Sequence, residues 1–560
     1  MHLLAVTPGQ ISDGEEAVDL GQSPGDILIL TTADSELTCF ARAASQCAAA
    51  GVTVRLANLL QLRHPYSVDL YLDQVIAHAR FVAVVLLGGR SYWPYGIDRI
   101  AEMARERGIV FAALSGDAED DPDLSRASTL PRESRRLLQA CLRHGGVGNA
   151  ALFLQEAMHL IGKSDAPGRA PEALSDVGLH PPAGCAPTLE DIRNTWGAGK
   201  PTALFVFYRA LAAAGTLEAV DAMIAALEAR GLNVLPVYVR GLREAKVIDW
   251  LRATLEEVRP DVILNATSFA ASSLGEPRTG SVLEEADCPI LQTCLAAVRE
   301  EDWQQSSAGL GARDLAMNVA LPEVDGRIFT RAYAFKSKAR FDPLTECTLV
   351  EPQIAPNRAE FIATLAANWA RLRRLPPAER RVALVLANYP NQNGRIGNGV
   401  GLDTPAACLE ILNTLAVAGY AIADKPSDGQ ALMSRLVSGV TNAIGSAQIG
   451  SKATLPVADY KAWFANLPAE VQDLVTQRWG LPETDTFVCD GQFQLPIHCF
   501  GSIVVGVQPA RGYNIDPKSS CHDPDLPPTH GYLAFYCWLR TRFGCHAMVH
   551  VGKHGTAEWL

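Results

Sequence analysis

Phe81-Val-Ala-Val-Val-Leu-Leu-Gly-Gly89 is an apolar run with no polar alternation, closed by two glycines. A strand of that kind buries both faces, as happens in a parallel sheet with helices on either side. The signature recurs upstream in Asp26-Ile-Leu-Ile-Leu-Thr-Thr32 and at 52–57, and downstream in Ile109-Val-Phe-Ala-Ala-Leu-Ser115. Helical patterns at 35–50 and 97–107 separate these runs. A second series follows in Ala203-Leu-Phe-Val-Phe-Tyr208, Asn233-Val-Leu-Pro-Val-Tyr-Val239 and Val262-Ile-Leu-Asn-Ala-Thr267, and a third opens at Arg381-Val-Ala-Leu-Val-Leu-Ala-Asn-Tyr389. The pattern predicts an α/β protein of several doubly wound, Rossmann- or flavodoxin-like parallel-sheet domains in series.

The 560 residues are roughly three or four domains' worth of chain. Residues 164–187 are rich in Pro, Gly and Ala and lose periodicity, which marks an interdomain linker. The expected organisation is an N-terminal α/β domain at 1–163, a linker at 164–195, a second α/β domain at 196–355 and a third domain starting at 356–560. With 48% hydrophobic and 20% charged residues the chain can fill several cores. A net charge of -12 argues against a nucleic-acid partner, which needs clustered Lys and Arg. Residues 1–6 lack a signal-peptide pattern, and no apolar run reaches the ~18 residues of a membrane span. Thirteen cysteines with no C-x-x-C pair suit a reducing cytoplasm, the predicted location.

Three stretches carry chemistry. The first, Asn391-Gln-Asn-Gly-Arg-Ile-Gly-Asn-Gly-Val-Gly-Leu-Asp-Thr-Pro405, follows a predicted strand and precedes an Ala-rich helix reaching about residue 418. Asp403 or Thr404 caps that helix and Pro405 suits its first turn. Gly397, Gly399 and Gly401 let a ligand approach the backbone, and the helix N-terminus favours anions; a plain strand-to-helix turn is the alternative. No G-x-x-x-x-G-K-[ST] occurs: Gly197-Ala-Gly-Lys-Pro201 lacks the upstream glycine and the hydroxyl, and Gly445-Ser-Ala-Gln-Ile-Gly-Ser-Lys452 has Ser451 where the lysine belongs. A P-loop ATPase activity would have to reside on another subunit.

The second stretch is Val505-Gly-Val-Gln-Pro-Ala-Arg-Gly-Tyr-Asn-Ile-Asp-Pro-Lys518, with Cys521-His-Asp-Pro-Asp-Leu-Pro-Pro-Thr-His530 after it. An apolar strand runs into a long loop bearing Arg511, Tyr513, Lys518, His522 and His530. Arg511 and Lys518 are placed to pair with carboxylates of an acidic ligand; a solvated loop with incidental charges is the alternative.

The third is Ala547-Met-Val-His-Val-Gly-Lys-His-Gly-Thr-Ala-Glu-Trp559. Its glycines and β-branched valines predict strand, loop, then helix, with His550 at the strand's carboxyl end and Glu558 in the first helical turn. Imidazoles suit cobalt, zinc or nickel, and a carboxylate completes coordination or carries protons. A lone histidine is more often structural, but six of the chain's 12 histidines lie at or after His498. Cys499, Cys521, Cys537 and Cys545 match no zinc module.

Taken together, these motifs resemble the large subunit of aerobic cobaltochelatase, of the cobaltochelatase/magnesium chelatase family. The resemblance rests on Asn388-Tyr-Pro with Gly394-Arg-Ile-Gly-Asn-Gly-Val-Gly-Leu-Asp-Thr-Pro405, on Gly506-Val-Gln-Pro-Ala-Arg-Gly-Tyr-Asn-Ile-Asp-Pro-Lys518 and on His550-Val-Gly-Lys-His-Gly-Thr-Ala-Glu-Trp-Leu560. The opening residues through Asp34 look similar, and Gly512-Tyr-Asn-Ile-Asp-Pro-Lys518 and Lys553 favour the cobalt branch. The resemblance implies ATP-dependent insertion of Co²⁺ into hydrogenobyrinic acid a,c-diamide. It also implies that this subunit carries the tetrapyrrole, while two smaller AAA+-type subunits bind ATP-Mg²⁺. His550, His554 and Glu558 would then handle metal and protons, and Arg511, Lys518 and Arg395 would hold pigment carboxylates. Relatives continue past the last motif, so the chain reads as an N-terminal portion of a longer protein.

Three rivals remain: a magnesium chelatase large subunit acting on protoporphyrin, a non-catalytic tetrapyrrole or metal carrier, and a nucleotide-dependent Rossmann enzyme. The last would use the Gly397–Gly401 loop with Asp424, placed ~20 residues beyond it, as the ribose ligand.

Overall fold

In the computed structural model, residues 17–116, 121–180, 188–272, 279–307, 309–336, 340–388, 396–399, 401–512, 523 and 525–552 are described. The chain divides into two compact units, Met1–Ala370 and Arg371–Leu560.

Among the described residues the first unit holds two large sheets and one hairpin. β1 (Ile27–Thr31), β2 (Val54–Asn58), β3 (Phe81–Leu86) and β4 (Val110–Ser115) form an all-parallel sheet in the order β2-β1-β3-β4. The alternation of strand side chains explains why nearly every residue is apolar. Ile27 and Ile29 face a core completed by Phe40, Leu152 and Phe153, while Leu28 and Leu30 face one completed by Val68, Leu72, Ile97 and Ile100. The segment expected as one helix at 35–50 is two, Asp34–Ala43 and Ser45–Ala49.

The second sheet has seven strands: β5 (Val177–Leu179), β6 (Thr202–Tyr208), β7 (Asn233–Val239), β8 (Val262–Asn265), β9 (Ile290–Arg299), β10 (Ile328–Lys336) and β13 (Pro352–Ile354). Their order is β13-β10-β9-β8-β6-β7-β5. The five inner strands are parallel and both edge strands antiparallel. The hairpin β11 (Arg340–Asp342) and β12 (Cys347–Leu349) leaves this sheet and packs on the first one. Cys347 and Leu349 enter the first core, Leu56 N–H donates to the Thr345 carbonyl at 3.1 Å, and Arg55 pairs with Glu346 at 2.9 Å.

The chain's division therefore differs from the expected one. Residues 164–195 are not a bare linker, because β5 joins the sheet beside β7 and a short helix, Leu189–Asn194, follows. Helix Pro356–Arg374 buries Ile362, Ala363 and Ala366 against the second sheet, so the residues after 355 still complete that core.

The second unit is built on β14 (Val382–Leu386), with a short hairpin of β15 (Asn398–Gly399) and β16 (Leu402–Asp403) beyond it. β17 (Thr454–Pro456), β18 (Val488–Cys489) and β19 (Gln492–Gln494) form a small antiparallel sheet. β20 (Ile497–Phe500), β21 (Ile503–Val507) and β22 (Ala547–Val551) join β14 in the order β20-β21-β14-β22. β14 lies parallel to both β21 and β22. Its Val382, Leu384 and Leu386 face helices Thr404–Val417 and Gly429–Ser438, and its Ala383 and Val385 face helix His530–Thr541. Among the described residues no helix is long and apolar enough to cross a membrane.

Candidate functional site

Parallel pairing brings the strands that lead into the three motifs together. Leu386 is registered with both Val507 and Val551, so β14, β21 and β22 end side by side at one edge of the sheet. Asn388 and the glycine loop leave β14 there, Gln508-Pro509-Ala510-Arg511 leaves β21, and His550 is the penultimate residue of β22. Loops at the carboxyl ends of parallel strands are where α/β sheets place ligands.

His550 pairs with Val385 and therefore shares its face, towards helix His530–Thr541. Its ring stacks on Tyr536 of that helix, with centroids 6.4 Å apart and planes 18° apart. One face of the imidazole is thus covered, and although the residue as a whole remains exposed, this partial burial holds its pKa below the ordinary 6.5. A neutral imidazole is the form that binds a metal or accepts a proton. Tyr536 is held in turn by Gln508, whose amide donates to the phenol oxygen at 3.3 Å.

The β21 loop is braced from below. Asn442 donates to the Gln508 carbonyl at 2.9 Å and accepts from Ala510 N–H at 3.2 Å, while Gln508 N–H donates to Leu386 O at 2.9 Å. Arg511, expected as an open clamp for ligand carboxylates, is 1% exposed, and its guanidinium donates to the Leu526 carbonyl. It ties the two ends of the long loop to each other.

At the β14 edge, Asp403 caps helix Thr404–Val417 by accepting from Ala406 N–H at 3.0 Å. Gly397 has φ +68 and packs against Leu386 and Thr404, while Gly401 has φ +83; both turns need the left-handed region. Gly399 has no such demand and lies in the β15–β16 hairpin. Two groups that the sequence does not single out are notable here. Asn388 is 1% exposed, and among the described residues neither end of its carboxamide has a hydrogen-bond partner, nor does the buried Thr404 hydroxyl. Buried polar atoms without partners are rare in proteins and mark where a ligand or water supplies the missing bond. No sequence pattern distinguishes such an asparagine from one that is satisfied.

His530 requires a correction. Expected on the ligand loop, it instead begins helix His530–Thr541 and is fully buried. Its Nε2 lies 3.0 Å from the Gly480 carbonyl, which can only accept, leaving Nδ1 to accept from the Tyr460 hydroxyl at 2.9 Å. Neither nitrogen is left for a ligand. Arg395, Tyr513, Lys518, His522, His554 and Glu558 lie outside the described residues. Among the described residues no three His, Cys, Asp or Glu gather as a metal site.

The CobN/Magnesium Chelatase family model matches residues 139–560, and the chain belongs to that family. Within it, the chain is 46% identical to the aerobic cobaltochelatase subunit CobN of Sinorhizobium sp. and 41% identical to that of Pseudomonas aeruginosa. Both matches cover 100% of this chain, but only 44% and 45% of those relatives, so the chain spans less than half their length. A magnesium-chelatase subunit of Cereibacter sphaeroides is 30% identical over 70% of this chain and 34% of its own. The solved catalytic subunit of cobaltochelatase from Mycobacterium tuberculosis superposes with a TM-score of 0.70 at 32% identity, covering 96% of this chain and 43% of that one.

Proposed function

We propose that this chain forms the tetrapyrrole- and metal-handling framework of a CobN-type large subunit of an ATP-dependent cobaltochelatase. The reaction is insertion of Co²⁺ into hydrogenobyrinic acid a,c-diamide in the cytoplasm, with two smaller AAA+-type subunits binding ATP-Mg²⁺. The observation that carries this reading is the convergence of Asn388, the Gln508–Arg511 segment and His550 at one sheet edge. The higher identity to the cobalt enzymes than to the magnesium ones supports cobalt over Mg²⁺ and protoporphyrin.

In this reading Co²⁺ is substrate. His550, kept neutral against Tyr536, takes the incoming ion together with His554 and Glu558, and these groups accept the ring N–H protons that the metal displaces. Asn388 and Thr404 offer the pigment unsatisfied polar atoms at the β14 edge. Lys518 and Arg395 pair with its carboxylates, and Arg511 holds the loop that carries Lys518.

The test is co-elution of the chain with hydrogenobyrinic acid a,c-diamide on gel filtration, repeated with protoporphyrin, followed by Co²⁺ insertion once the partner subunits are added. Pigment retained by Glu558→Gln with insertion slowed would support the assignment. Binding and insertion lost in equal measure would remove Glu558 from the proton role, and retention of protoporphyrin alone would overturn the cobalt reading.

A further inference from the structure

The first unit contains a cavity of about 790 Å³, at the carboxyl ends of both of its sheets. In the first sheet the strand order reverses between β1 and β3, and the cavity is lined by Ala33 after β1 and Leu87 after β3. In the second sheet the order reverses between β6 and β8, and the lining includes Arg209 after β6 and Thr267 after β8. Each reversal leaves a crevice at the strand ends, where α/β sheets take up ligands. Here two such crevices open on one space, whose volume suits a drug-sized molecule.

The lining is cationic and apolar together. Six arginines border the cavity against two glutamates, Glu36 and Glu244. Arg327 is neutralised by Asp325 at 2.6 Å, and Arg240 faces Asp176 at 3.3 Å. Among the described residues Arg209 and Arg243 make no direct ion pair, although Asp176 and Glu244 act on Arg209 from further off. Arg209 donates to the carbonyls of His144 at 2.7 Å and of Leu174 and Ser175 at 2.9 Å. Arg243 donates to Ala270 O at 3.0 Å and Ser272 O at 2.9 Å. Carbonyls fix a guanidinium without cancelling its charge. Burial pushes the Glu36 carboxyl upward, which lessens the negative charge it brings to the first-sheet side. Phe40, Phe153, Leu242 and Met317 supply apolar wall.

Two backbone irregularities adjoin the cavity. Phe269, on the loop after β8, has φ +67 and leaves a large aromatic ring 47% exposed. Its N–H donates at 2.8 Å to the Met317 carbonyl, inside a π-helix, Leu315–Ala320. Non-glycine residues at positive φ and π-helical turns both concentrate at ligand sites.

We propose that this cleft binds an amphipathic organic acid, an aromatic or otherwise apolar ring body bearing a carboxylate, with Arg243 and Arg209 facing the anion and Phe269 closing on the ring. The site lies within the first unit, and the inference does not depend on the chelatase assignment.

Fluorescence titration of the 560-residue chain with 1-pyrenebutyrate and with its uncharged analogue 1-pyrenebutanol tests it. The acid is expected to bind about tenfold more tightly than the alcohol, the margin of one charged hydrogen bond. Arg243→Gln should abolish that preference and Arg243→Lys should keep part of it, with thermal melts confirming that both variants fold. Phe269→Ala, at a half-exposed position, should weaken both probes about fivefold, and Tyr95→Ala on the outer surface should change neither. Equal binding of acid and alcohol would overturn the anionic specificity. A preference that survives Arg243→Gln, or binding indifferent to Phe269→Ala, would overturn the location.

Discussion

The rings of His550 and Tyr536 lie nearly parallel, 18° apart, with their centroids separated by 6.4 Å. Because burial disfavours the imidazolium, His550 should titrate below the ordinary 6.5. The sign follows directly: below its folded pKa the ring's resistance to protonation weakens the fold, and the penalty fades as pH rises towards 6.5. Histidine-selective NMR should show the midpoint moving up in Tyr536→Ala. A wild-type midpoint at or above 6.5 would refute the role of the stacked ring.

Asn388 should be a residue whose removal stabilises the unliganded protein. Its buried carboxamide has no partner among the described residues, so Asn388→Leu should raise unfolding stability by about 1 kcal/mol. The same change should weaken retention of the corrin precursor. Denaturant melts and gel filtration measure the two effects, and a destabilised variant with undiminished pigment binding would make Asn388 purely structural.

Lys336 and Asp34 form an ion pair at 3.1 Å with side chains only 4% and 15% exposed. Burial pushes the lysine pKa down, but the carboxylate opposes the shift. Lys336→Met should cost about 3 kcal/mol by stranding a carboxylate, and adding Asp34→Asn should recover much of the loss. Additive losses in the double-mutant cycle would show that the two side chains do not act as a pair.

Tyr460 and His530 should behave as a structural couple. Tyr460→Phe removes the hydroxyl bonded to the buried imidazole and should cost about 1–2 kcal/mol without altering pigment retention. Selective loss of pigment binding would return His530 to the ligand site.

Phe269→Gly should stabilise the first unit by about 1 kcal/mol, since glycine adopts φ +67 without strain. A thermal shift in the opposite direction would mean that the ring's packing outweighs its backbone.

Local elements are legible in the sequence because they depend on local chemistry. Continuous apolar runs mark β1, β3, β6 and β7 nearly to the residue, and Asp403 announces its helix cap. The position of His550 at the carboxyl end of a strand follows from valine and glycine placement alone. Pairing is non-local and is not legible. Nothing in Val177-Gly-Leu179 says that it will edge a sheet beside β7, and a proline-rich neighbourhood hides it. Arg511 and His530 mislead for a related reason: residue type suggests what a side chain can bind, but only the partner from elsewhere decides which way it turns. For Arg511 that partner is Leu526, and for His530 it is Gly480 and Tyr460.

The central position of β14 has a consequence for how the protein is made. Leu384 pairs with Val505 on one side and with Val549 on the other, both far later in the chain. During synthesis the strand must therefore wait with two open edges while β21 and then β22 emerge. Closing such long loops is entropically slow, and an unpaired apolar strand is an invitation to aggregate. The edge that carries Asn388, Gln508 and His550 is completed only when β22 docks, so it is a late-forming part of the second unit.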